Sequence, residues 1–149
     1  MAKLPQKGAL MALDIGKKTL GLAFSDAGWR IASPLKTIHR KRWTDDLKYL
    51  EAFWDEYHIQ GLVAGWPVLM DGAEGTQCHS TRHVLQNILK RRDLPCLLWD
   101  ERLSTKAALH VLKNEADLSR QKRAQVIDSV AATWILQGAL DILRDQTTQ

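Results

Sequence analysis

The chain has 149 residues, a length that fits one domain of ordinary size and can bury roughly two-thirds of its unfolded surface without a covalent staple. Hydrophobic residues make up 45% and charged residues 26%, a globular balance rather than a disordered one. The formal net charge of +4 is mildly basic, which suits a polyanionic partner without identifying one. Cys78 and Cys96 form no CxxC pair and read as two reduced thiols. The apolar run Leu10–Leu13 is too short for a secretory signal. Gly61–Met70 is the longest weakly polar stretch, and a membrane helix needs about 20 apolar residues. The expectation is a soluble, cytoplasmic, single-domain protein with its core over about residues 9–144 and short flexible tails.

Ala9–Asp14 is a short apolar run, read as a buried strand that ends in an acid. Ile15–Lys18 is a turn, and Thr19–Ser25 a second strand, so the short link predicts an antiparallel hairpin. Ile31–Ile38 offers a third strand, with Pro34 arguing for an edge or a bulge. Thr44 reads as the N-cap of a helix with Asp45 and Asp46 in its first turn. Leu62–Trp66 is a fourth strand, Val68–Gln77 a loop, and Ser80–Arg92 an amphipathic helix. Leu94–Asp100 is a fifth strand, Ser104 caps a helix to about Asn114, and Arg120–Leu143 is a long final helix. The order predicts an α/β fold: a five-stranded mixed sheet, three antiparallel strands then two parallel, with helices on both faces.

Asp14 and Glu101 each follow an apolar strand, where α/β folds build their sites. Should strands one and five be parallel neighbours, the two acids emerge at one edge. Asp128 precedes Ala131, Ala132 and Ile135 at helical spacing, so it borders the packed face of the last helix. An ionised carboxylate there is costly unless paired or metal-bound. Taken singly, each acid has a plainer explanation. Asp14 could be a turn residue, Glu101 could pair with Arg102 or a surface lysine, and Asp128 with Lys122 or Arg123. Only their joint placement favours a cage for a hard cation. With no His/Cys cluster, that cation is Mg²⁺ or Mn²⁺, as one or two ions. His79 and His83 lie one helical turn apart, but no third ligand accompanies them, so zinc is not expected.

Four stretches carry a resemblance: Asp14–Asp26 (DIGKKTLGLAFSD), Gly65–Gly72 (GWPVLMDG), Asp100–Thr105 (DERLST) and Ile127–Leu136 (IDSVAATWIL). In this order and at these spacings they resemble the motifs of the YqgF family, also called RuvX, over roughly Leu10 to Leu143. The resemblance implies an RNase H-like fold. It also implies a nuclease, described either as maturing the 5′ end of pre-16S ribosomal RNA or as a Holliday junction resolvase. By the match Asp14, Glu101 and Asp128 are the three metal-binding acids. Two positions depart from the family pattern. Thr19 stands where arginine is usual, which weakens a phosphate contact. Leu69 stands where asparagine is usual, which removes an amide.

Lys17 and Lys18 beside Asp14, and Arg102 beside Glu101, are the first candidates for phosphate contacts, with an Arg102–Asp100 pair as the structural alternative for Arg102. Arg120, Lys122 and Arg123 precede Asp128 and are the next. Arg40–Arg42 and Lys90–Arg92 read as solvated helix ends. Trp54, Trp66, Trp99 and Trp134 read as core; Trp29 and Trp43 read as surface-packed, either able to stack on an unpaired base. The leading expectation is a metal-dependent nuclease acting on structured RNA, with pre-ribosomal particles as partners. The alternatives are a DNA-junction resolvase and a non-catalytic nucleic-acid or ribosome-assembly protein. No membrane partner is expected. A resolvase would be a symmetric homodimer, whereas the RNA reading is compatible with a monomer.

Overall fold

The computed structural model describes residues 8–103 and 120–147, with side chains over 8–102 and 130–145. Strands β1 (Ala9–Ile15), β2 (Thr19–Ser25) and β3 (Ala32–His39) are followed by helix α1 (Trp43–Glu56), β4 (Ile59–Trp66), α2 (Thr76–Arg91) and β5 (Cys96–Asp100). A single 3₁₀ turn, Glu101–Leu103, comes next, and α3 spans Arg120–Thr147. The helix expected from Ser104 to Asn114 lies outside the described residues.

The sheet order is β3-β2-β1-β4-β5. β1 pairs antiparallel with β2 and parallel with β4, and β4 pairs parallel with β5. This is the mixed sheet expected, with one correction. β1 and β5 are not neighbours, because each parallel crossover advances by one strand and leaves β4 between them. Pro34 behaves as its chemistry requires. It sits on the edge strand, opposite Ala23, where the β2–β3 register shifts.

Alternation along the strands divides the core in two. Met11, Leu13, Leu62 and Ala64 face α1 and α2, meeting Leu50, Trp54, Val84 and Ile88. Leu10, Ala12, Val63 and Trp99 face α3, meeting Ala132, Ile135, Leu136, Ala139 and Leu140. The two faces are thus covered by α1 with α2 and by α3. Each fully buried leucine stabilises the fold by roughly 1.5–3 kcal/mol. The alanines at 132 and 139 are fully buried and let α3 lie close on the sheet.

Several boundaries and packing expectations need correction. α1 starts at Trp43 with Arg42 as its cap and no side-chain capping bond, so Thr44 is already inside the helix. Asp46 does the local work instead: its Oδ2 accepts the backbone N–H of Lys41 at 3.3 Å. α2 starts at Thr76, earlier than Ser80, because Gly75 is already the extended cap. Trp134 is 41% exposed, since it falls off the 132-135-136-139 stripe that touches the sheet. Trp29 is 4% exposed rather than surface-packed. Its φ of 60° folds the chain back, and its Nε1 donates to the Gly8 carbonyl at 2.7 Å. Cys78 and Cys96 are buried and unpaired, and burial pushes the Cys96 thiol up to about 11. No described helix is long and apolar enough to cross a membrane.

Candidate nuclease site

Asp14 is the second-last residue of β1 and is half-buried. It follows Leu10 and Ala12 on the alternation, so it shares the face covered by α3. One rung beyond the Leu13–Ala64 pair, its neighbour across the parallel ladder is Gly65 of β4. Gly65 in turn pairs with Trp99 of β5. Glu101 opens the 3₁₀ turn directly after β5.

Gly65 leaves room for Glu101 over the end of β4, the strand between those of the two acids. A Cβ built at Gly65 would lie 2.5 Å from Glu101 Oε1, 3.2 Å from Glu101 Cγ and 3.0 Å from Ile135 Cδ1. The Glu101 side chain therefore leans over the end of β4, into the space a side chain at 65 would fill. β1 and β5 are two strand spacings apart, roughly 10 Å. A carboxylate reaching over the intervening strand narrows that gap; a side chain on β4 would block it. A glycine inside a strand often marks such a close approach, a signal present in the sequence but carrying no indication of what would approach.

Asp128 lies in α3, seven positions before Ile135 and so at the same helical register, about 10 Å along the axis. Its side chain is outside the described residues, as are those of Arg120, Lys122 and Arg123 in the first turns of the same helix. Among the described residues no group of three His, Cys, Asp or Glu side chains is gathered. The described donors are two carboxylates flanking a glycine, on strand ends one strand apart. An all-oxygen set of this kind fits a magnesium or manganese ion and does not fit zinc.

The basic candidates fall into distinct environments. Lys17 and Lys18 are exposed on the β1–β2 turn, next to Asp14. Arg40 anchors that turn: its Nη1 donates to the carbonyls of Gly16 at 2.6 Å and Lys17 at 3.2 Å, and its backbone N–H donates to Lys18 O at 2.8 Å. Read from sequence as part of a solvated helix end, Arg40 is a brace. Arg102 is engaged by Asp100. Its Nη2 donates to Asp100 Oδ2 at 2.6 Å, its Nε to both carboxylate oxygens at 3.0 Å, and its backbone N–H to Oδ1 at 2.9 Å. The Arg102 side chain, then its backbone N–H, holds the Asp100 carboxyl below the usual carboxylate range. Arg102 Nη1 also donates to Met70 O at 3.3 Å, tying the β4–α2 loop to the strand end. This pairing is the structural alternative for Arg102. It also means that the cation beside Glu101 in sequence is turned to Asp100. In the same loop Leu69 is 53% exposed, its side chain lying against Gly75.

Residues 8–142 match the model of a family described as "RuvX: Holliday junction resolvase". Curated relatives carry the name "Putative pre-16S rRNA nuclease". One from Phenylobacterium zucineum is 49% identical over 142 residues, covering 95% of this chain and 91% of the relative. One from Cereibacter sphaeroides is 51% identical over 143 residues, covering 96% and 89%. Among solved structures, Thermus thermophilus RuvC in complex with a Holliday junction substrate superposes with a TM-score of 0.54 at 12% identity, over 91% of this chain and 94% of that one. At that identity the likeness speaks for the fold alone, which is RNase H-like. The matching family model, the half-identical relatives and the strand-end carboxylates agree: the chain belongs to the RuvX family of nucleases.

Proposed function

We propose that this chain hydrolyses phosphodiester bonds in structured RNA, maturing the 5′ end of pre-16S ribosomal RNA on pre-ribosomal particles, with one or two Mg²⁺ or Mn²⁺ ions held by Asp14, Glu101 and Asp128. The observation that carries the proposal is the Glu101 carboxylate lying over Gly65, on the Asp14 side of the sheet edge. Two carboxylates brought together repel, and a divalent cation removes that penalty. When bound, the cation supplies charge stabilisation at the phosphoryl oxygens and an acidified water. The chain's own part is to hold the carboxylates at a fixed separation and to seat the substrate phosphate. Lys17 and Lys18, on a turn braced by Arg40, are placed to do the latter. Arg120, Lys122 and Arg123 would add to it from the start of α3, and Arg102 would contribute only if it left Asp100.

The names of the relatives favour ribosomal RNA as the substrate. The family's own description favours the second reading, resolution of a four-way DNA junction by a homodimer. The hydrolysis is the same in both, because the site meets only a phosphodiester. The deciding experiment compares cutting of precursor ribosomal RNA with cutting of a mobile DNA junction, each with Mg²⁺, with Mn²⁺ and with chelator. The expected result is cutting of the RNA that chelator abolishes. Preferential cutting of the junction would transfer the assignment to the resolvase reading, and cutting that survives chelator would overturn the metal site.

Lys18→Ala is expected to weaken substrate binding and to lower the slope of log K against log salt by about one unit, one phosphate contact having been lost. An unchanged slope would remove Lys18 from the phosphate-binding set.

A further inference from the structure

We propose that the basic surface between β3 and the start of α1 is a second nucleic-acid contact, which holds the phosphate backbone of a helical arm of the substrate away from the cutting site. The proposal rests on the nucleic-acid reading above.

The first observation is how ion pairing is distributed. Among the described residues the ion pairs hold Arg82, Arg91, Arg92, Arg102 and Arg144. All of these lie on α2 or at its C-cap, on α3 or just after β5. On the opposite rim, Lys36, Lys41 and Lys48 are exposed and make no ion pair with a described carboxylate. The same holds for Lys17, Lys18 and Arg42. α1 shows the division within one helix. Its Glu51 and Asp55 are turned to Arg91 and Arg92 at the end of α2, while Lys48, one turn before Glu51 on the same side of the helix, is in none of these pairs and lines a groove shared with β3.

The second observation is continuity with the site. Thr19 of β2 is opposite His39 of β3, and the Arg40 hydrogen bonds lock the end of β3 onto the Lys17–Lys18 turn. Asp14 is on the face of the sheet covered by α3 and the groove is on the face covered by α1, so a strand seated beside Asp14 reaches the groove by passing round the sheet edge at the turn lysines.

The third is shape. The groove between β3 and α1 has a volume of about 670 Å³ and is lined by Lys36, Lys41, Lys48 and Tyr49. Tyr49 is 56% exposed, with Lys36 Nζ 5.9 Å from its ring centre. Of the two lining acids, Asp46 is 3% exposed and turned inward to the Lys41 N–H, which leaves Asp45 as the exposed one. Lysines on an edge strand also deter sheet-to-sheet pairing. That role accounts for Lys36 but not for Arg42 before α1 or Lys48 within it.

The test uses the full chain and the triple variant Lys36→Gln/Lys41→Gln/Lys48→Gln. Binding to duplexes of about 10 and about 30 base pairs, in RNA and in DNA, is followed by fluorescence anisotropy across a salt series. The parent is expected to show the steeper salt slope on the longer duplex. The triple variant should lose about two to three units of that slope, at close to one per phosphate contact, and bring the two lengths together. Lys48→Gln alone should lose about one unit, and Lys90→Gln, at the far end of α2, should keep the parent slope. A triple variant that is folded by its thermal midpoint and keeps the parent slope on the longer duplex overturns the proposal. A parent that binds neither duplex overturns the nucleic-acid reading and this surface with it.

Discussion

Asp14→Asn is expected to lower cutting by at least about 1,000-fold, with fold and substrate binding retained. The substitution keeps the size of the side chain and one acceptor oxygen but removes the charge. A metal site supplies several kcal/mol of transition-state stabilisation, and each 1.36 kcal/mol is a factor of ten in rate. Asp14 is half-buried at a strand end rather than in the core, so a neutral isostere there leaves the β1–β2 and β1–β4 ladders intact. Single-turnover cutting with Mg²⁺ measures the loss, and a thermal melt with a binding titration checks the rest. Parent-like cutting by Asp14→Asn would remove the central acid from the chemistry.

Gly65→Ala is the second large effect, expected at about 100-fold in cutting, the scale of a misplacement of about 1 Å in a catalytic group. The added methyl would lie 2.5 Å from Glu101 Oε1 and 3.0 Å from Ile135 Cδ1. The Glu101 end is flexible and yields, so its carboxylate leaves the Asp14 side. Ile135 is buried and yields less, which costs about 1–3 kcal/mol of stability as overpacking. The two consequences separate in the double variant Gly65→Ala/Ile135→Val: the thermal midpoint recovers and cutting does not. Alanine in a strand is otherwise better than glycine by about 0.5–1 kcal/mol. A Gly65→Ala protein that is more stable and as active as the parent would therefore show that the open space at 65 is unused.

The sequence made the strands legible because each is a short apolar run closed by a turn signal, and Thr19–Ser25 matches to the residue. It also showed Asp14 and Glu101 to be strand-end acids, since burial pattern and position are local properties. The order of strands is not local. β1 and β5 look equivalent along the chain, and only the folded sheet inserts β4 between them. The need for a glycine at 65 follows from that insertion and stays hidden until the order is known. Side chains whose role depends on a distant partner were hidden for the same reason. Arg40 looks like one of three adjacent cations until β3 brings it to the carbonyls of Gly16 and Lys17. Trp29 looks like a loop residue until a positive φ turns its ring inward. Trp134 lies in an apolar stretch of sequence, yet it falls outside the buried stripe of its helix.

The central claim is that folding brings Asp14, Glu101 and Asp128 around a shared hard cation at the carboxyl edge of the sheet. A crystal structure of the protein soaked in Mn²⁺, with the ion located by its anomalous signal, tests this most directly. The account predicts Mn²⁺ beside Gly65, with carboxylate oxygens of all three acids bound directly or through one water at roughly 2.0–2.6 Å per bond. An ion bound elsewhere, or the three carboxylates pointing away from one another with Mn²⁺ present, would contradict it.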